Sequence, residues 1–179
     1  MNYLIFLIVA AEMGFWLLIL LGLYFRYKLH KPKLSLVFFI MAPIVDVLLL
    51  IATALDIKRG GTVGLAHALS AIYIGFSVGF GRNLIAKADV MYREYILKEN
   101  VPSEKLYGKE HRKKYFEGTI RHLITYLVGA GLMYAFIVYV GDADKTRLFS
   151  MIIKGWTVIL VIDILINLSY VIHPKKRKS

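Results

Sequence analysis

The stretch LSLVFFIMAPIVDVLLLIATAL, residues 34–55, holds a single charged residue, Asp46, and its unbroken apolar length decides the fold. As a helix rising about 1.5 Å per residue it is about 33 Å long, enough to cross a hydrocarbon layer about 30 Å thick. Residues 3–25, 62–81, 119–140 and 148–172 share its length and character, so the chain reads as an all-α membrane protein with five transmembrane helices. Hydrophobic residues make up 58% of the 179, against roughly 45–50% in a soluble globular chain. The connections 26–33, 56–61 and 141–147 are too short to fold by themselves, and only 82–118 has room for structure outside the bilayer. Residues 1–179 are therefore expected to form one transmembrane helical domain. Five spans are odd in number, which excludes the inverted-repeat pairing of many transporters within a single chain and leaves a homodimer open.

Charge is distributed in a way that orients these spans. Of the 23 Lys and Arg, 18 lie in 26–33, 82–121 and 175–178, while Lys58, Arg59, Lys145 and Arg147 are the four in the other two connections. Basic loops stay on the cytoplasmic side, so the N-terminus is expected outside and the C-terminus in the cytoplasm. No basic residue precedes the first span in this sequence, so it is expected to be a retained anchor and not a cleaved signal. The net charge of +11 thus belongs to topology and to attraction for anionic lipid headgroups, and nucleic acid is not an expected partner. Beyond Arg82, Ile85, Ala88, Tyr92, Tyr95 and Ile96 recur at helical spacing among Lys87, Asp89, Arg93, Glu94, Lys98 and Glu99. Span three is expected to continue as a cytoplasmic amphipathic helix as far as Asn100, packing on headgroups or on a neighbouring helix, with a docking surface for a cytoplasmic partner as the alternative; elsewhere on the chain a membrane partner is also open.

Ionisable residues inside the spans are the candidates for function. A charge in the bilayer centre costs about 2.5–3.5 kcal/mol on insertion scales and so calls for a protein-lined environment. Glu12 and Asp46 each stand nine residues from the outer ends of adjacent spans, at one depth, so they are expected to share an interface. Pro43, one turn before Asp46, frees the carbonyl of Phe39 and makes that place oxygen-rich, which suits a proton or a hard cation. Trp156, Asp163, Asn167 and Tyr170 fall on one face of span five, directed into the bundle. Lys154 projects from the opposite side and cannot neutralise Asp163 within the helix. His67 sits near the outer surface, available for hydrogen bonding or a proton relay, among the small residues Ala68, Ala71, Gly75 and Gly79 that favour close helix packing. The expected ligand or proton-binding set is Glu12, Asp46, His67, Trp156, Asp163 and Asn167, with no catalytic residue assigned and any metal unknown.

Other chemistries lack their signatures. Cysteine is absent, which removes disulfides, thiolate metal sites and thiol nucleophiles. His67 and His122 lie near opposite surfaces, so they do not pair as haem ligands, and no cofactor is expected. No phosphate-binding glycine loop, nucleophile elbow or zinc-binding helix motif occurs. The residues support binding or transport of a proton, cation or cationic small solute; the alternative is a non-catalytic component that binds a protein partner or lipid, and an unusual intramembrane enzyme ranks third.

Several stretches carry a resemblance. Ala11-Glu12-Met13-Gly14-Phe15-Trp16, Pro43-Ile44-Val45-Asp46, Ala66-His67-Ala68 through Ile74-Gly75-Phe76-Ser77-Val78-Gly79-Phe80-Gly81, and the ending Asp163…Tyr170…Pro174-Lys175-Lys176 resemble the small YmcC-type integral membrane proteins of Gram-positive bacteria. The resemblance covers nearly the whole chain. It implies a multi-pass protein of the bacterial plasma membrane and supplies no catalytic residues.

Overall fold

The apolar runs of the sequence are helical through nearly all of their described residues. The computed structural model describes residues 2–57, 63–101 and 107–172, ordered as α1 (Asn2–Tyr27), α2 (Pro32–Ile57), α3 (Leu65–Met91), α4 (Gly108–Val140) and α5 (Arg147–Ile172). Lys58, Arg59 and the basic tail 175–178 lie outside the described residues. Pro32 opens α2, the position where its missing N–H would have no helical partner in any case. Gly141 closes α4 at φ 69°, a left-handed conformation that favours a residue without a Cβ. Asp142 then starts the turn into α5 by accepting hydrogen bonds at 3.1 Å from the backbone N–H groups of Asp144 and Lys145. The Lys145 N–H is the main reason that the Asp142 carboxyl is held below the usual carboxylate range. All five helices are long and apolar enough to cross a membrane.

Two boundaries differ from the sequence expectation. The fourth helix begins at Gly108, well before residue 119, so the basic run Lys109–Lys114 is helical. Its charged residues are good helix formers, and Glu117 bridges Lys113 at 4.0 Å and Arg121 at 3.1 Å along the helix. In the third helix, the regular α form ends at Met91 and passes into a π-helical turn at Tyr92–Ile96, short of Asn100. Lys98 then takes a left-handed conformation at φ 53°, and Arg93 is joined to Glu99 at 2.6 Å.

The helices pack as two antiparallel hairpins, α1–α2 and α4–α5, with α3 between them against α2 and α4. Small residues set the α3–α4 spacing. A Cβ added at Gly75 would stand 2.5 Å from the Thr125 carbonyl oxygen and 3.1 Å from the Gly129 nitrogen, and one added at Gly79 would collide with Thr125 Oγ1. Gly129 in turn receives Trp156 of α5, whose ring would lie 2.6 Å from an added Cβ. The α3 and α4 backbones therefore approach closely through residues that yield space, with the Trp156 ring of α5 filling the hollow at Gly129, the close packing expected of small residues in membranes. Nearer the 141–147 turn, Leu50, Val63, Ala68, Ala71, Ile74, Met133, Phe136 and Phe149 form the apolar core. The Val63 N–H donates to the Lys145 carbonyl at 3.4 Å and ties the two connections at that end.

Candidate functional site

Among the predicted site residues, His67 has a structural task. It is the third residue of α3, 4% exposed, and its Nδ1 accepts the backbone N–H of Gly64 at 3.0 Å. The imidazole thereby satisfies a donor that no turn of helix can reach. Accepting at Nδ1 fixes the neutral ring in the tautomer that carries its proton on Nε2.

Asp163 meets a histidine. His122 of α4 places Nδ1 3.0 Å from Asp163 Oδ2, close enough for an ion pair but out of line for a hydrogen bond. Phe80 of α3 covers the imidazole edge-on at 4.9 Å between ring centres. Sequence reasoning weighed His122 only as a haem ligand and missed it as a partner of Asp163, although a signal existed. It lies 18 residues before the end of α4 and Asp163 lies 16 after the start of α5, so the short turn registers both about 25 Å along an antiparallel hairpin. Asn167 donates to the Asp163 carbonyl oxygen at 2.9 Å, one turn back on its own helix. Trp156 packs against Gly129 and stands edge-on to Tyr126 at 5.6 Å. The face carrying Trp156, Asp163 and Asn167 thus looks toward α4, and Tyr170 continues it by stacking on Tyr115 at 4.7 Å. Lys154 is exposed on the other side.

Asp46 is 5% exposed on α2, which runs unbroken through Pro43. The side chain of Glu12 lies outside the described residues. On the hairpin, Gly22 faces Phe39 and Phe25 stacks on Phe38. That register sets residue 12 opposite residues 49–51, about 5–8 Å along the axis from Asp46. Counted at about 1.5 Å per residue from the ends of their own helices at Leu65, Ile57 and Arg147, His67, Asp46 and Asp163 stand about 3, 17 and 24 Å along the axis. Among the described residues no three His, Asp or Glu are grouped to hold a metal.

A different feature does gather residues from several helices. Between the α1–α2 hairpin and α3 lies a cleft of about 510 Å³, walled by Ile19 and Leu23 of α1, Leu36, Phe39, Ile40 and Pro43 of α2, and Ser77, Gly81, Ile85 and Ala88 of α3. Its volume falls within the roughly 300–1,000 Å³ of small-molecule sites. The stripe of Ile85 and Ala88, expected to face headgroups or a neighbouring helix, faces this cleft. Toward the basic end it adjoins a second pocket of about 400 Å³, lined by Arg26, Lys33, Arg82 and Asp89, and Leu36, Arg82 and Ile85 line both. The rim is fixed by a small network. Arg26 engages both oxygens of Asp89 through Nε, at 2.6 Å, and through its terminal nitrogen. Tyr27 donates its hydroxyl to Asp89 at 3.0 Å and stacks on Tyr92 with ring centres 4.1 Å apart. The result is an apolar slot with a basic rim.

Comparison with known proteins adds one relative. The chain is 40% identical over 179 residues to a Bacillus subtilis (strain 168) protein described as "Uncharacterized membrane protein YmcC", covering 100% of this chain and 97% of the relative. No protein-family model matches the chain, and no solved structure matches it. Identity at that level along the full length, together with five membrane-spanning helices, leads to one conclusion: the chain belongs to the YmcC family of multi-pass bacterial membrane proteins.

Proposed function

We propose that this protein is a non-catalytic membrane component that binds an amphipathic lipid in the cleft between the α1–α2 hairpin and α3. The observation that carries the proposal is the cleft itself, about 510 Å³, apolar in its walls and basic at its rim. Membrane sites that bind solutes gather convergent polar groups near the midplane. Here His67 caps a helix, Asn167 bonds its own helix, and Asp163 is engaged by His122 on the far side of α3 from the cleft. In the proposed orientation the N-terminus is outside, and the basic rim faces the cytoplasmic leaflet.

The test is lipid retention. Protein extracted in mild detergent should carry lipid detectable by native mass spectrometry, and Gly81→Leu should lose most of it. Gly81 lines the cleft, and an added Cβ there meets nothing within 4 Å, so the larger side chain enters the slot without displacing the helices. Gly131→Leu, equally open but on α4, is the control. Equal retention by the two variants would refute the proposal.

A second reading, binding or transport of a proton or cation at the carboxyls, is favoured by Asp46, which is 5% exposed one helical turn from the cleft residue Pro43. Its distinguishing result is proton- or cation-dependent transport in vesicles that Asp46→Asn abolishes and Gly81→Leu does not.

A further inference from the structure

A lipid tail moving from bilayer to cleft exchanges one hydrocarbon environment for another, and side chains as apolar as the tails they replace give no hydrophobic gain. The slot can select shape, but discrimination among lipids falls to the rim. There the charges are unequal. Arg26, Lys33 and Arg82 face the pocket together with the single carboxylate of Asp89. Arg26 is consumed by Asp89, whereas Lys33 and Arg82 take no part in any ion pair among the described residues. Two uncommitted cations therefore stand over the slot.

Length supports the same occupant. From Lys33 at the rim to Pro43 at the inner end, α2 advances ten residues, or about 15 Å, half of a hydrocarbon core about 30 Å thick. The slot is thus one leaflet deep, with its cations at the headgroup level. A soluble ligand has no need of that depth, and a partner helix would be expected to continue across the second leaflet.

We infer that the cleft is selective for an anionic phospholipid, with one acyl chain between α2 and α3 and the headgroup phosphate bound by Arg82 and Lys33. This rests on the lipid-cleft function proposed above. Arg82 supplies a planar fork suited to two phosphate oxygens, and Lys33 supplies a point charge.

The experiment uses the full chain in nanodiscs of equal phosphatidylglycerol and phosphatidylcholine, with retained lipids counted by native mass spectrometry after release. Phosphatidylglycerol should exceed phosphatidylcholine among the adducts by about tenfold or more, since each cation near an anionic headgroup is worth roughly fivefold. Lys33→Gln with Arg82→Gln should bring the ratio near one while total adducts persist. Lys87→Gln with Lys114→Gln removes the same charge from the same end outside the rim and should leave the excess intact. A ratio near one in the native chain, an excess that survives loss of Lys33 and Arg82, or an equal fall in the control pair would overturn the anionic assignment and leave the cleft as a general lipid site. Absence of lipid adducts from the native chain, or unchanged adducts in Gly81→Leu, would overturn the underlying lipid-binding function as well.

Discussion

Arg26 and Asp89, 63 residues apart in sequence, meet side by side where α1 and α3 leave the apolar layer. With Tyr27 and Tyr92 stacked beside them, they form a polar fastening between the first hairpin and α3. Paired deletion measures this fastening. Arg26→Gln and Asp89→Asn should each destabilise the protein in detergent, and the double variant should lose less than the sum. Contacting charges couple by roughly 0.5–3 kcal/mol, and a value near the bottom of that range is expected here because the Asp89 side chain is 36% exposed. Additive losses would show that the two side chains act independently.

The α3–α4 contact should tolerate nothing larger than glycine at residue 79. An added Cβ collides with Thr125 Oγ1 and approaches the Arg121 carbonyl oxygen at 2.7 Å, so Gly79→Ala forces the backbones apart. Its expected cost is about 1–3 kcal/mol in thermal or denaturant unfolding in detergent. Gly131→Ala, with nothing within 4 Å, should be neutral or stabilising by up to about 1 kcal/mol through helix propensity. The reverse order of stabilities would mean that α3 and α4 meet elsewhere.

His67→Leu keeps a side chain of roughly similar bulk but removes the acceptor for the Gly64 N–H. The expected loss is about 0.5–2 kcal/mol, the range for losing a helix cap. The amide of Gly64 should also exchange with deuterium faster. Unchanged exchange would show that the imidazole does not cap α3.

Orientation can be tested without background because the chain contains no cysteine. A cysteine at Ala143 should react with an impermeant thiol reagent added to intact cells, and one at Asn100 should react only after the membrane is opened. Both positions are exposed, so access depends on the side of the membrane. Labelling of residue 100 from outside would invert the proposed topology.

The five helices were legible because each keeps an apolar run of about 20 residues, a length that only membrane crossing requires. The start of α4 was less so. Lys109–Lys114 looks like a loop by polarity, yet Lys, Arg and Glu form helices readily in water, and no proline interrupts them. The inward face of α5 followed from the spacing of Trp156, Asp163 and Asn167, and its partner His122 was within reach of the same depth comparison that related Glu12 to Asp46. The cleft was not legible. It depends on how far the α1–α2 hairpin stands from α3 sideways, and hydropathy encodes depth and face but not lateral separation.

Neither wall of the cleft is complete by itself: Ile19, Leu23 and Phe39 come from the first hairpin and Gly81, Ile85 and Ala88 from α3. The slot comes into being only when the two are joined. A lipid held there would then act as mortar. By mass action it would favour the assembled form over the separated one, so the stability of the bundle would follow the composition of the membrane around it.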